Sequence, residues 1–242
     1  MKSPDTILQT IGLRKKYGGV DAISRVNFSL KEGELRCLIG ANGAGKSTFF
    51  KMLTGQISPT EGKIIFNSKD ITYAKSFEIS RLGIGIKNQV PDVYDGITAE
   101  ENIWLAAQFC HNKITATKIV SDVINRLDLS TILNKIVGEL SHGQRQWVEF
   151  GMVMALKPSL ILLDEPTAGM SSEETKKTAE LILEINKDTS IIVVEHDMQF
   201  IQQIAKLVTV FHQGEILAED TMSNIQKNEA VRDVYLGRPV NA

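Results

Sequence analysis

Leu35-Arg-Cys-Leu-Ile39 runs directly into Gly40-Ala-Asn-Gly-Ala-Gly-Lys-Ser47, an apolar stretch ending on a glycine-rich turn that closes with a lysine and a hydroxyl residue. Helical pattern follows at once, from Thr48 to Leu53. A buried strand, a Gly-x-x-x-x-Gly-Lys-Ser turn and a helix in that order make a cradle for phosphates. The glycines let backbone N–H groups point inward at phosphate oxygens, in dihedral regions closed to other residues. Lys46 is expected to meet the β- and γ-phosphates and Ser47 to ligate Mg²⁺, with the dipole of the helix N-terminus behind them. Gly40, Ala41, Asn42, Gly43, Ala44, Gly45, Lys46, Ser47 and Thr48 thus form the expected triphosphate site.

Outward from this loop, short β-rich runs at Ile7–Ile11, Val26–Leu30 and Lys63–Phe66 are separated by turns. Farther along, Leu160-Ile-Leu-Leu-Asp164 and Ser190-Ile-Ile-Val-Val-Glu195 are continuous apolar runs followed by helical pattern, as strands buried on both faces of a parallel sheet are. The core is therefore α/β. From Thr98 to Met154 the pattern reads as wholly helical, opened by the capping box Thr98-Ala-Glu-Glu101 and striped by Ile119, Val123 and Leu127. This segment is expected to be a helical subdomain of about residues 91–154, inserted into a core of about 1–90 and 155–242 within a single domain of 1–242. After His196, a helix to about Lys206 leads into two short strands, Leu207–Phe211 and Glu215–Ala218, around the turn His212-Gln-Gly214.

Two acids stand where the Leu160 strand leaves the core. Alternation along the strand aims Asp164 at the Mg²⁺ held by Ser47, while Glu165 points elsewhere and is free to orient or deprotonate an attacking water. His196 follows the other buried strand in the same way, so its imidazole can reach a γ-phosphate from the same sheet edge.

Bulk composition narrows the partners. The 27 basic and 29 acidic residues leave a formal charge of −2, with nothing to suggest nucleic-acid binding. Cys37 and Cys110 show neither CxxC nor metal-ligand spacing and read as reduced thiols. No signal-length apolar stretch opens the chain and no run approaches a spanning helix, so the expected location is cytoplasmic.

Leu140-Ser-His-Gly-Gln144, placed between the phosphate loop and the Asp164-Glu165 strand, resembles the signature motif of ATP-binding-cassette (ABC) ATPases, and the resemblance spans essentially the whole chain. It implies a P-loop core of RecA-like type with an antiparallel β subdomain and the inserted helices, hydrolysing ATP with Mg²⁺. It also implies that Tyr17 stacks on adenine and that Gln89 is the glutamine contacting Mg²⁺ and water. Plain core packing for Tyr17 and an ordinary polar loop role for Gln89 stay open as alternatives. Gly33–Cys37, Ser141-His-Gly-Gln-Arg-Gln-Trp147, Ala168–Thr175, Val194-Glu-His-Asp197 and Val234–Gly237 most resemble ATPase subunits of urea-type importers in the branched-chain amino acid transporter group.

The same motif makes sense physically, because Ser141-His-Gly-Gln144 has capping-box spacing and presents a helix N-terminus. Such an end attracts anions. Since the chain's own loop already holds phosphates, Ser141, His142, Gly143 and Gln144 suit the γ-phosphate of another subunit, in a head-to-tail dimer of identical or paralogous chains. A protonated His142 would add a charge-assisted contact there; a His142 that merely faces solvent is the alternative. The resemblance further implies membrane-spanning permeases, indirectly a solute-binding protein, and a peripheral position on the cytoplasmic face of the membrane. A permease helix is expected to dock near Gln89–Gly96 and Asn102-Ile-Trp-Leu105, with Trp104 as a core residue the competing reading. For the solute, urea comes first, branched-chain or other amino acids second and short amides third. Three departures stand out: His142 in place of the first signature glycine, Asn88 in place of an aromatic, and Met170-Ser171 in place of Leu-Asp. A soluble ABC ATPase acting as a dimer switch, as in iron-sulfur cluster assembly, is the rival reading.

Overall fold

The computed structural model describes residues 5–236. The chain opens with β1 (Thr6–Tyr17), β2 (Val20–Lys31), β3 (Leu35–Gly40) and α1 (Lys46–Leu53), then β4 (Glu61–Phe66), β5 (Lys69–Asp70), α2 (Ser76–Arg81) and β6 (Ile84–Lys87). A helical stretch follows: α3 (Ala99–Cys110), α4 (Lys113–Arg126), a 3-10 turn at Val137–Glu139, and α5 (His142–Ala155). The last third alternates β7 (Leu160–Asp164), α6 (Ser172–Ile185), β8 (Ser190–Val194), α7 (Met198–Ile204), β9 (Leu207–His212) and β10 (Glu215–Asp220), ending in α8 (Met222–Ile225) and α9 (Glu229–Leu236).

Two sheets result. One is antiparallel in the order β2-β1-β4-β5; the other is β10-β9-β3-β8-β7-β6, parallel throughout except for the β9–β10 hairpin. The period-2 geometry of a strand sends alternate side chains to opposite faces, and both faces of the parallel sheet are covered. Ile161, Leu163, Ile191 and Val193 pack against the helices α3–α7, whereas Leu160, Leu162, Ile192 and Val194 pack toward α1 and the antiparallel sheet. This explains why the sequence shows unbroken apolar runs there. Between the sheets, Phe49 of α1 stacks edge-on against Phe28 and lies 5.2 Å from Phe211.

The expected strands are all present, several of them longer than their apolar runs. The stretch from Thr98 to Met154 is not wholly helical, however: residues 127–141 contain no α-helix. That segment is tied down by backbone bonds instead, Ala99 N to Lys135 O, Val137 N to Ile97 O and Gly138 N to Asp95 O. Its irregular path therefore satisfies its polar backbone against the loop before α3. Five elements escaped the sequence reading: β5, α2, β6 and the two closing helices α8 and α9. β5 has two residues, α2 six, and β6 carries Gly85 and Lys87 inside its apolar run, the glycine because a Cβ would lie 2.6 Å from Val153 of α5. The Val234–Gly237 resemblance ends outside the described residues.

Lys87 is the unusual residue of β6. Its ammonium is wholly buried, 3.3 Å from the Glu149 carboxylate of α5, 5.3 Å from the Phe150 ring centroid and hydrogen-bonded to the Gln146 carbonyl. Burial pushes Lys87 down and Glu149 up from their ordinary values, and the attraction between them offsets part of each shift. An ion pair of this kind is costly to break from one side. Glu149→Leu is therefore expected to destabilise the fold by about 3–5 kcal/mol in urea denaturation, whereas Lys87→Met with Glu149→Leu recovers most of that loss.

Candidate active site

The parallel strands deliver their chemistry at their carboxyl ends, which is where ligands bind in open α/β sheets. β3 ends at the phosphate loop. Gly40 is required there because a Cβ would sit 2.5 Å from the Phe211 carbonyl, and Gly45, at φ 107°, because a Cβ would sit 2.7 Å from the Ala22 carbonyl. Lys46 folds back over the loop, donating to Gly40 O at 2.5 Å and Ala41 O at 3.2 Å, so its ammonium waits at the centre of the cradle. Burial lowers its pKa, while Glu165 and Asp164 pull it back. Ser47 is exposed and Thr48 half-buried on the first turn of α1.

β7 delivers the acids. Asp164 is half-buried, and its carboxylate has no hydrogen-bond partner among the described residues. Burial and then Glu165 raise its pKa, Lys51 opposes, Glu195 adds to the rise and Lys46 opposes again. An acid left in this state fits a divalent cation. Glu165 adopts a left-handed conformation, φ 44°, which costs a non-glycine residue about 1–2 kcal/mol. Its N–H is secured by Val194 O at 2.9 Å. The carboxylate contacts two other residues: Gln89 Nε2 donates to Oε2 at 2.8 Å, and His196 Nδ1 lies 3.3 Å from Oε1.

Gln89, Glu165 and His196, distant in sequence, thus form one connected group at the ends of β6, β7 and β8. A residue the sequence reading passed over supports it. Glu195 is buried, and its carboxylate accepts from the His196 N–H at 2.7 Å, the Asp197 N–H at 3.2 Å and the Thr167 hydroxyl, with His196 Nδ1 3.5 Å away. An acid at the end of a strand, one residue before a histidine, was the available signal.

The Ser141–Gln144 segment stands apart. No hydrogen bond joins it to Gly40–Thr48 within the described residues; its contacts run to the chain after Glu165. Ser141 caps α5 and its hydroxyl donates to Glu174 at 2.8 Å, while the same carboxylate accepts from the Ser171 N–H at 3.0 Å. Hydrogen bonds from Ser171 and Ser141, with the nearby His142, hold Glu174 below the usual carboxylate range. Gly143 is buried against that carboxylate, since a Cβ there would lie 2.4 Å from Glu174 Oε1. His142 Nε2 lies 3.0 Å from the Ala168 carbonyl and 3.2 Å from Gln146 Nε2. Tyr17 is not a core residue: its ring is 51% exposed at the end of the β1–β2 hairpin, with Lys15 Nζ 5.1 Å from its centroid. Trp104 is half-buried against the helical core.

A glycine-lined phosphate loop beside an unpaired aspartate, with a second acid poised next to a glutamine and a histidine, defines a P-loop nucleoside triphosphatase. Residues 23–168 match the ABC transporter family. The high-affinity branched-chain amino acid transport ATP-binding protein BraF of Pseudomonas aeruginosa is 30% identical, over 96% of this chain and 98% of its own. A crystal structure of an ATP-binding cassette of an ABC transporter in its ADP conformation superposes with a TM-score of 0.85 at 27% identity, over 96% of this chain and 99% of that one. A dimeric structure of a bacterial ABC transporter cassette gives 0.78 at 25% identity, over 89% and 99%. The chain belongs to the ABC transporter family and is one of its ATPases.

Lys46→Ala removes the one cation at the centre of the phosphate loop, a charge-assisted contact of about 1.5–3 kcal/mol. Nucleotide affinity measured by calorimetry is expected to fall about 10- to 100-fold, with turnover nearly abolished; unchanged affinity would refute this role for the lysine.

Proposed function

We propose that this chain closes head to tail on a second, identical or paralogous ABC ATPase subunit around two ATP molecules, and that this closure drives a membrane importer for a small polar solute. It forms one nucleotide-binding domain, with the helices of about residues 91–154 as its partner-facing arm. The observation that carries the hydrolytic part is the convergence of Gln89, Glu165 and His196 at one sheet edge. Within it, Glu165 accepts the proton of the attacking water, Gln89 orients that water, and the exposed His196 meets the γ-phosphate. Bound Mg²⁺, held by Ser47, Asp164 and Gln89, supplies charge neutralisation at the phosphates. Gly40–Thr48 bind the triphosphate and the exposed Tyr17 ring stacks on adenine.

The α5 N-terminus serves the other subunit's nucleotide. Its Ser141 hydroxyl already donates to an anion, the Glu174 carboxylate, in the place where a partner's γ-phosphate would arrive. His142, Gly143 and Gln144 flank that position. A similar cassette is dimeric, which supports the arrangement.

Permease docking falls to the loop before α3. Asn102 is buried and clamps that loop through Tyr94 N–H at 2.8 Å and Tyr94 O at 3.0 Å, which leaves Val90, Tyr94 and Leu105 exposed. In this reading the subunit lies peripherally on the cytoplasmic face of the membrane and is served indirectly by a solute-binding protein; no helix among the described residues is long and apolar enough to cross. Branched-chain amino acids are the solute named for the BraF relative, and urea is the solute favoured by the resemblance of Ser141–Trp147. Vesicles containing the neighbouring permeases and solute-binding protein, given labelled leucine and labelled urea, decide between them: ATP-dependent uptake of neither would refute the importer reading.

Glu165→Gln is expected to retain ATP binding and slow hydrolysis by about 10²-fold or more, so that the ATP-bound dimer accumulates on size exclusion. Normal hydrolysis in that variant would reduce Glu165 to a strand-end acid.

A further inference from the structure

The catalytic group described above is held from behind by a residue with no assigned role. Gln146 lies one turn into α5, fully buried, and its carboxamide is fixed in orientation by its neighbours. Lys87 can only donate, so Oε1 faces the ammonium, which leaves Nε2 for the Gln89 carbonyl at 3.0 Å. The same Nε2 lies 3.2 Å from His142 Nε2, and that imidazole nitrogen is 3.0 Å from the Ala168 carbonyl, three residues past Glu165. A carbonyl can only accept, so the imidazole carries hydrogen on Nε2 when it binds Ala168. When that hydrogen sits on Nδ1 instead, Nε2 accepts from Gln146. One amide and one ring therefore touch both segments whose side chains meet at the Gln89–Glu165 hydrogen bond.

The bond between Gln89 and Glu165 joins an exposed loop residue to a half-buried acid. Asn88, Gln89 and Val90 are all exposed; Gln146 holds the Gln89 carbonyl, while Lys87 Nζ donates to the neighbouring Asn88 carbonyl at 3.3 Å. We propose that Gln146 and His142 are positioning residues for ATP hydrolysis: by holding the Gln89 and Ala168 carbonyls from one helix turn, they set where the Gln89 and Glu165 side chains meet. This rests on the reading of Glu165 and Gln89 as hydrolytic groups. It also gives His142, which stands where the usual motif has glycine, a task within its own subunit.

The test uses the full chain with steady-state ATPase kinetics. Gln146→Met keeps the volume and removes every polar contact; His142→Gly removes the ring from an exposed site; His142→Gln restores an N–H donor at the same position. Gln146→Met and His142→Gly are each expected to lower kcat about tenfold while KM for MgATP stays within about twofold, the pattern of misplaced groups rather than lost binding. His142→Gln, which restores the donor to the Ala168 carbonyl, should recover a large part of the kcat lost in His142→Gly. Because the two residues act on one geometry, the double variant should fall well short of the product of the two losses. In the Glu165→Gln background, Gln146→Met should add little further loss. Equal kcat in His142→Gly and the parent, strictly multiplicative losses, or a change confined to KM would each overturn the proposal. If Gln146→Met fails to fold, the comparison of His142→Gly with His142→Gln still decides it, since both sit on the surface. Failure of the underlying reading looks different: Glu165→Gln would then hydrolyse normally, whatever the Gln146 variants do.

Discussion

Burial of the parallel sheet on both faces is the constraint from which the rest follows. A strand enclosed on both sides has no face on which to place a polar side chain, so its polar groups emerge at its ends. Because β3, β8, β7 and β6 run the same way, their carboxyl ends share one edge, and the phosphate loop, Asp164-Glu165, Glu195-His196 and the Gln89 loop are brought together without any contact between their sequences. The backbone then makes one costly adjustment, the left-handed turn at Glu165. Past that turn the Glu165 carboxylate meets Gln89 and His196, while Asp164 remains within electrostatic reach of Lys46 and of Glu165 itself.

The few charges that do lie inside are each compensated. Arg36, the second residue of β3, pairs with Glu34 at 2.6 Å and also reaches Glu219 and Thr209, linking the strand that feeds the phosphate loop to β9 and β10. Its neighbour Cys37 has no such partner; burial, with Glu195 adding to it, pushes the thiol up to about 12, so it behaves as a small apolar residue. Lys87 and Glu149 do for the helical arm what Arg36 does for the hairpin. Buried polar groups thus sit at the joints between layers rather than within them.

The legible parts of this structure were those written in consecutive residues. The phosphate loop, the two long apolar strands with their terminal acids, and the capping boxes at Thr98 and Ser141 each carry their own periodicity or spacing. What stayed hidden depends on neighbours remote in sequence. Lys87 interrupts the apolar pattern of a four-residue strand, and only the three-dimensional approach of α5 supplies the acid and amide that make it tolerable. Glu195 reads as an unremarkable strand-end acid until the Thr167 hydroxyl and two backbone N–H groups are seen to converge on it. Residues 127–141 looked helical because apolar residues recur through them, yet backbone bonds to the loop before α3 decide their path.

The crowding around Gly40 and Gly45 divides the nucleotide site into a stiff half and a compliant half. The phosphate loop is wedged between the Phe211 carbonyl of one sheet and the Ala22 carbonyl of the other, and the bonds from Gly214 N to Ala44 O and from Ser24 N to Gly214 O stitch both sheets to it. A loop gripped on both sides at atomic contact cannot reshape itself around a ligand, nor can either sheet shift without carrying the phosphates along. Adjustment to nucleotide state must therefore be taken up on the opposite wall, where Asn88, Gln89 and Val90 lie exposed between β6 and the helices, and motion starting at the nucleotide is directed one way, toward the helical arm.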